Sequence, residues 1–310
     1  MILTVCLNPA LQRTLWFAGC RINQVNRAIK KTYTVGGKGV NVARVIHQLG
    51  ASSCLIYLTG GGTGRDVETL IEEEGIAARS IPVTTSTRVC STIIDLENNS
   101  QTELVEESDA VSSDTVETFF KAYQEHLASA SVVVLSGTVP PGFSEDIYGV
   151  CIRLARLQGV PVILDAARKL LVCALSEHPF FIKPNCTELA ESLNLRPSNI
   201  ATAFESLQSQ GISNTLVTCE NQPAWFYHAG VTYRVSFPAL DRVNSIGSGD
   251  AIAAGVAVGI EQKKSLPEAV RLGMACGCAN VLTETAGSIR MEDVNRLLPE
   301  IHMELCDGCE

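Results

Sequence analysis

Short β-branched runs alternate along the chain with stretches whose apolar residues recur every three or four positions, which is the pattern of βαβ units on a mainly parallel sheet. Strands are expected at residues 2–7, 53–57, 132–135, 161–164, 180–182 and 215–218. Val42, Val45, Ile46 and Leu49 mark one face of a helix that should stop at Gly50, and Val150, Leu154 and Leu157 do the same ahead of Gly159. Glycine readily takes the left-handed conformation that closes a helix, so both stops have a mechanism. Two segments, residues 12–35 and 81–105, break this rhythm: they are polar and strand-prone without helical periodicity, and read as a small β-sheet lid. No repeat, low-complexity tract or linker divides the rest. Residues 1–310 are therefore expected to form one α/β domain, a mainly parallel central sheet flanked by helices with the lid attached.

The most informative polar interruption is Asn244-Ser245-Ile246-Gly247-Ser248-Gly249-Asp250, a glycine-rich turn that runs into the small-residue helix Ala251-Ile252-Ala253-Ala254-Gly255-Val256. Unpaired amides of Gly247, Ser248 and Gly249 at a helix N-terminus would favour an anion such as a migrating phosphoryl group. Asp250 would then be the base that takes the proton of an attacking hydroxyl. Taken alone, the segment is equally a glycine-rich helix start with an ordinary first-turn aspartate. A second locus is Gly36-Gly37-Lys38-Gly39-Val40-Asn41-Val42-Ala43-Arg44, three glycines around a lysine at a helix start. Backbone can approach a ligand closely at Gly37, Lys38 offers a point charge to a phosphate, and Asn41 can both donate to and accept from sugar hydroxyls. Gly39 follows Lys38 where a Walker A loop needs Ser or Thr, and residues 60–64 lack the spacing of a dinucleotide fingerprint and read as a tight turn.

Composition narrows the class. With 310 residues, 46% hydrophobic and 18% charged, the chain can bury one large core plus a minor attachment. A net charge of -9 argues against nucleic-acid or anionic-membrane surfaces, so any anionic substrate must be met by a few local cations. The first residues lack the length and basic flank of a signal peptide and no apolar run reaches a membrane span, so a cytoplasmic protein is expected. Of the twelve cysteines, Cys6, Cys54, Cys90, Cys151 and Cys219 fall in apolar elements where a thiol acts as a small hydrophobe, and a reduced compartment is the simpler account. Two close pairs remain, Cys276 with Cys278 and Cys306 with Cys309. The second has CxxC spacing, but no further ligand pair follows, which reads as a terminus and not a zinc site.

With these loci in hand, the chain resembles the ribokinase-like (PfkB) carbohydrate kinases, in the branch of 1-phosphofructokinase and tagatose-6-phosphate kinase. The resemblance runs nearly end to end. Thr4-Val5-Cys6-Leu7-Asn8-Pro9-Ala10, Val25-Asn26-Arg27, residues 36–44, Leu135-Ser136-Gly137-Thr138-Val139-Pro140-Pro141-Gly142, Lys183-Pro184-Asn185-Cys186-Thr187-Glu188-Leu189 and residues 244–250 occur in the expected order. It implies a three-layer ribokinase-like fold, ATP and Mg2+ as cofactors, and a ketohexose phosphate as substrate: fructose 1-phosphate or tagatose 6-phosphate. It also implies roles. Asp250 matches the catalytic base, with Gly247, Ser248 and Gly249 as its anion hole. Gln12, Arg27, Gly37, Lys38, Asn41, Arg88 and Thr138 match the sugar-phosphate side. Lys183, Thr218 and Asn280 fall on the nucleotide side, and Asn185 and Glu188 match the pair that organises magnesium through water. A helix cap would use Asn185 and Glu188 equally well.

Three departures stand out. Gln12 occupies a position where the branch usually has an aspartate that accepts from sugar hydroxyls. Thr218-Cys219-Glu220-Asn221-Gln222-Pro223 lacks both glycines of the family's nucleotide stretch, and a carboxylate at Glu220 would repel phosphates unless it faces solvent. Ala166-Ala167-Arg168 replaces a common Ser-Gly or Thr-Gly pair. They keep two alternatives open: a weakened kinase that senses a sugar phosphate, opposed by the intact Gly247 to Asp250 turn, or a kinase of another sugar, which would leave Lys38 and Arg88 without a phosphate. A homodimer is the assembly left open.

Overall fold

Alternate residues of the most apolar strands enter two different cores, and this makes the molecule three layers deep. The computed structural model describes residues 1–195, 200–220 and 222–306. In chain order the first elements are β1 (Ile2–Cys6), β2 (Ala10–Phe17), β3 (Lys30–Gly36), α1 (Lys38–Gln48), β4 (Ser53–Thr59), α2 (Gly61–Glu73) and β5 (Ala78–Pro82). Then come β6 (Val89–Asp95), β7 (Ser100–Val105), α3 (Ser113–Leu127), β8 (Val132–Ser136), α4 (Ile147–Leu157), β9 (Val162–Asp165), α5 (Arg168–Leu175) and β10 (Phe181–Ile182). The remainder is α6 (Cys186–Leu193), α7 (Ile200–Ser209), β11 (Asn214–Val217), β12 (Ala224–His228), β13 (Val231–Ser236), α8 (Ser248–Glu261), α9 (Leu266–Asn280), α10 (Met291–Leu297) and β14 (His302–Leu305).

Ten strands form the main sheet in the order β14-β13-β12-β11-β10-β9-β8-β1-β4-β5. From β11 to β5 every pairing is parallel, and β12, β13 and β14 add an antiparallel edge. Leu3, Val5, Val133 and Leu135 point to the layer of α3 to α7, where Phe119, Tyr148, Leu171, Leu189 and Phe204 meet them. Ile2, Val132, Val134 and Ile163 point the other way, to α1, α8, α9 and α10. The second sheet, β3-β2-β6-β7, is the small β element expected from residues 12–35 and 81–105. It seats Leu11 and Val35 on Val40 and Ala43 of α1 and on Val67 and Ile71 of α2.

The expected strands fall within two residues of observed ones, but three readings need correction. Ile81 is fully buried in β5, so the second lid segment begins later than residue 81, because that stretch completes the parallel edge instead. On α4 the buried face is Ile147, Tyr148, Cys151, Ile152 and Ala155, while Leu157 is 79% exposed. Residues 60–64 open α2 and are not an isolated turn, with Gly61 at φ 68. The helix stops at Gly50 and Gly159 are as expected, both left-handed at φ 73 and φ 70.

Every residue of α8 from Asp250 to Gly259 is buried, so this helix must be apolar and small on all sides to fit between sheet and α9. A Cβ on Gly255 would stand 2.7 Å from the Gly273 Cα of α9, where the obstacle is backbone and cannot swing aside. Gly255→Val should therefore destabilise the fold by about 1–3 kcal/mol, despite valine's better helix propensity. A denaturant midpoint unchanged from wild type would refute this packing.

Candidate active site

Strand ends at one edge of the parallel sheet deliver the polar groups, as expected for an open α/β fold. Asp165 closes β9, Lys183 follows β10, and Gly137 and Thr138 follow β8. Lys38 opens α1 directly after the small sheet, because Gly37 at φ 119 turns the chain where a Cβ would press on Cys6 Sγ. Asp250 sits in the first turn of α8, after Gly247 at φ 84. Lys183 Nζ lies 3.4 Å and Lys38 Nζ 3.7 Å from Asp165 Oδ1, and Lys38 Nζ also lies 3.1 Å from Glu188 Oε1. Gly249 lies directly against the Lys183 side chain. Elements far apart in sequence thus meet at one charged centre.

The two aspartates are tuned in opposite directions. Burial would push Asp165 up, but Lys183 and Lys38 outweigh it and hold this carboxyl below the usual carboxylate range. Asp250, 5% exposed, is pushed up to about 7 by burial and by the negative charge of Asp165, which Lys38, Asn41 and Lys183 offset only in part. Lys38 in turn is held well above the ordinary lysine range, chiefly by Asp165 and against its own burial. Asp165 was not anticipated from the sequence. Its one available signal was an acid ending an apolar strand at the sheet edge where ligands bind.

A buried chain of hydrogen bonds orients Asp250. Asn41 Nδ2 donates to Asp250 Oδ2 at 2.8 Å, and Arg44 Nη1 donates to Asn41 Oδ1 at 2.9 Å. Arg44 is itself fixed by Glu74, by the Val35 carbonyl and by the Ala286 carbonyl. The Asn41 side chain therefore faces the base, where the sequence reading aimed it at a sugar hydroxyl. Asn280 is fully buried behind the turn, donating to Ile246 O at 2.9 Å and Ser248 Oγ at 3.1 Å, so it braces the helix start. Of the three amides expected to form an anion hole, Ser248 N bonds Ser245 O at 3.3 Å, while Gly247 N and Gly249 N have no partner among the described residues.

Lys38, Thr138 and Arg88 are linked through Gly137 and Asn8 into one rim. Gly137 packs on Lys38, Asn8 Nδ2 donates to Thr138 Oγ1 at 2.9 Å, and Arg88 Nη2 donates to Asn8 O at 3.0 Å. Arg88 also donates to the carbonyls of Pro9 and Glu106 and makes no ion pair with a described residue, so its charge is positioned but not neutralised. Gln12 lies on β2 and donates to Thr92 Oγ1 at 2.9 Å. Arg27 is exposed on the loop between β2 and β3, and the structure does not bring it to the centre. Opposite lies a cleft of about 830 Å³, lined by Asn185, Thr218, Glu220, Ser248, Gly249 and Cys278 among others. Glu220 is exposed on this wall.

Asn185 and Glu188 do form a helix cap. Asn185 Oδ1 accepts from Glu188 N at 2.7 Å and Glu188 Oε2 accepts from Asn185 N at 2.9 Å, so the cap reading of this pair is satisfied in full. Among the described residues no cluster of three His, Cys, Asp or Glu exists to hold a metal directly. The donor set nevertheless suits a hydrated magnesium ion: Asn185 lines the cleft, Glu188 follows it on the same helix turn, and buried Asp165 Oδ1 meets Lys183 and Lys38 as ion pairs beyond hydrogen-bond geometry. The cysteine reading changes at the same place. Cys6, Cys54, Cys90 and Cys151 are buried as small hydrophobes, but Cys219 is half-buried and bonded to Cys186 as a disulfide, Cα to Cα 5.3 Å. Cys276 and Cys278 are buried in α9, and Cys309 lies outside the described residues.

A buried, elevated carboxylate at a glycine-rich helix N-terminus, ringed by lysines beside an open cleft, defines a phosphoryl-transfer site on an α/β scaffold. The chain belongs to the pfkB family of carbohydrate kinases, whose profile it matches over residues 11–293. It is 30% identical to the tagatose-6-phosphate kinase of Staphylococcus epidermidis, over 98% of this chain and 99% of that protein. It is also 30% identical to the 1-phosphofructokinase of Bacillus subtilis, over 97% of this chain and 98% of that one. The solved structure of phosphofructokinase-2 from Escherichia coli in complex with substrates and products superposes with a TM-score of 0.87 at 25% identity, covering 96% of this chain and 98% of that one. The protein is a sugar kinase with the ribokinase-like fold. No helix among the described residues is long and apolar enough to cross a membrane.

The elevated Asp250 carboxyl makes a prediction about stability. Its folded-state value of about 7 exceeds the ordinary 3.8, so the folded protein binds a proton more tightly than the unfolded chain. Stability contributed by this group is complete below about pH 4 and is lost as pH rises toward about 7. Asp250→Asn should leave the melting temperature almost unchanged at pH 4 and raise it increasingly up to pH 7–8. Equal shifts at both ends, measured by thermal melts, would contradict the assigned direction.

Proposed function

We propose that this kinase transfers the terminal phosphoryl group of ATP, with Mg2+, to a ketohexose phosphate, either fructose 1-phosphate or tagatose 6-phosphate, giving the 1,6-bisphosphate. The observation that carries the reading is Asp250, a buried carboxyl pushed up to about 7 and aimed by Asn41 at the junction of cleft and cationic rim. The names of the two curated relatives support the substrate class.

In this reading the sugar phosphate is held by Lys38, Thr138 and Arg88, with Gln12 beside the ring. Its primary hydroxyl lies over Asp250, which takes the proton as the oxygen attacks phosphorus. The P–O bond to the hydroxyl oxygen forms, the bond to the leaving ADP breaks, and the proton leaves Asp250 for solvent. The α8 N-terminus, with Gly247 and Gly249, and Lys183 face the charge that develops on the phosphoryl oxygens. ATP occupies the wall from Thr218 to Pro223. Bound magnesium supplies charge neutralisation at the phosphates, and Glu188, Asn185 and Asp165 are the residues that would hold its water shell.

Two outcomes test this. Asp250→Ala should lower kcat by roughly 100-fold or more with sugar-phosphate affinity little changed, and in wild type kcat/KM should fall about tenfold per pH unit below pH 7 and level off above it. Retained turnover in the mutant would remove Asp250 from the reaction.

The substrate class is tested separately. Fructose and ribose should be turned over far less efficiently than fructose 1-phosphate or tagatose 6-phosphate, and Arg88→Ala should raise KM for the phosphorylated sugar by about tenfold or more, in keeping with loss of a charge-assisted contact. Equal efficiency on free sugars, in an ADP-release assay, would show that the rim does not read a phosphate.

A further inference from the structure

Two walls of the nucleotide cleft are joined at a single seam. Behind it, the ends of β10 and β11 are paired: Cys186 N donates to Thr218 O at 2.9 Å, Thr218 N donates to Pro184 O at 3.3 Å, and Asn185 and Thr218 form an isolated bridge. Beyond the seam the walls diverge, one becoming α6 with Asn185 and Glu188, the other the stretch toward Glu220 and Pro223. Cys186 and Cys219 sit at the point of divergence, both half-buried, both lining the cleft, and bonded to each other across 33 residues of sequence.

We propose that Cys186 and Cys219 are a reversible dithiol–disulfide pair that sets the affinity of the nucleotide cleft, tight when bridged and loose when open. The proposal rests on the reading that ATP binds in this cleft. With the bridge closed, Glu220 is one residue from a covalent anchor and the two walls are held in binding register. With it open, the walls are joined by the Thr218 hydrogen bonds and the β10–β11 pairing without the covalent tie, and fixing Cys219 and Glu220 in place costs part of the binding energy, which weakens the complex. Of the sugar-phosphate rim, Lys38 meets the α6 wall through Glu188, which keeps its own helix cap whether the bridge is closed or open, while Asn8, Thr138 and Arg88 contact one another, so sugar-phosphate affinity should not respond.

The oxidant is a low-molecular-weight disulfide. One protein thiol, as thiolate, attacks it, forming a mixed disulfide and releasing one small thiol; the second protein thiol then attacks the protein sulfur of that mixed disulfide and releases the other. Two protein thiols are oxidised and one small disulfide is reduced to two small thiols. A dithiol reductant reverses both steps. A pair of this kind in a chain of mostly buried cysteines fits a compartment where stable structural disulfides are rare and redox-responsive ones occur. Burial pushes Cys6 up to about 11 and Cys276 and Cys278 up to about 12, which makes them poor competitors, while the half-buried Cys20, Cys173 and Cys306 are separated from the pair by mapping the bonds.

The full-length protein poised in reduced or oxidised glutathione provides the test, with differential alkylation and peptide mass spectrometry to locate bonds and calorimetry to measure Mg-ATP and fructose 1-phosphate binding. The expected result is a bridge mapped to Cys186 and Cys219 in the oxidised form, at least threefold tighter Mg-ATP binding in that form, and equal sugar-phosphate affinity in both. Cys186→Ser and Cys219→Ser should each abolish the redox difference in Mg-ATP affinity. A bridge that never forms while ATP still binds overturns the pair and leaves the kinase reading intact. A mapped bridge with equal Mg-ATP affinity in the two forms overturns the regulatory role. Failure to bind ATP in either form, with the bridge mapped, overturns the assignment of the cleft to ATP and the proposed control with it.

Discussion

Asp165 and Asp250 are buried at the same end of the sheet, and two ionised carboxylates cannot share such a place without cations. Lys183 and Lys38 both bond Asp165, not Asp250. That allotment fixes the division of labour: Asp165 stays ionised as the anchor of the lysines, and Asp250 keeps an elevated affinity for a proton. Pairs of titratable groups driven apart in this way mark acid–base chemistry on many scaffolds. The architecture then follows as a set of delivery requirements. β9 must end at Asp165, β10 at Lys183, the small sheet must turn into α1 at Lys38, and α8 must begin at Asp250.

Position alone would not keep Asp250 effective, since a base displaced by an ångström loses most of its advantage. Its orientation depends on residues that never meet substrate. Glu74, the C-cap of α2, fixes Arg44, Arg44 fixes Asn41, and Asn41 fixes Asp250, so the end of one helix and the face of another hold the first turn of a third. From behind, Asn280 grips the turn through Ile246 O and Ser248 Oγ, and accepts from Ser288 N. Gly287, at φ 61, lets that segment lie directly on Asn41. Rigid support of this kind is what a preorganised site requires.

Much of this was legible before any coordinates. The parallel strands other than β5 were, because they are continuous apolar runs, and so were both glycine-rich loci, because few structures need glycine at such spacing beside Lys38 or Asp250. What escaped did so for identifiable reasons. β12 and β13 follow β11 with no helix between them, and β13 and β14 carry exposed residues, so no βαβ rhythm announces them. The buried arc of α4 is wide and includes Tyr148, whose hydroxyl reaches Ser136 O and Gly137 O, so Val150, Leu154 and Leu157 imitated a face that is not the main one. Asp165 belongs to no local motif, and Cys186 and Cys219 are brought together only by the pairing of β10 with β11. The contact of Asn41 with Asp250 also escaped, because local sequence carries no information about a contact 209 residues away.

The charge balance of the centre explains why its residues alone would not suffice for a phosphorylated nucleotide. Lys38 and Lys183 stand against Asp165, Glu188 and Asp250, two cations facing three carboxyls, so no surplus positive charge remains once Asp250 is ionised. Arg88 makes no ion pair with a described residue, but it belongs to the opposite rim. In the proposed reaction, phosphates entering the cleft would be met by the α8 N-terminus, whose partial charge is about half an elementary unit, and by a divalent ion brought with the nucleotide. This also orders the events the proposed reaction requires. Before such an ion arrives Asp250 keeps its proton affinity high, and added positive charge at the cleft would lower it, favouring the ionised base when both substrates are in place.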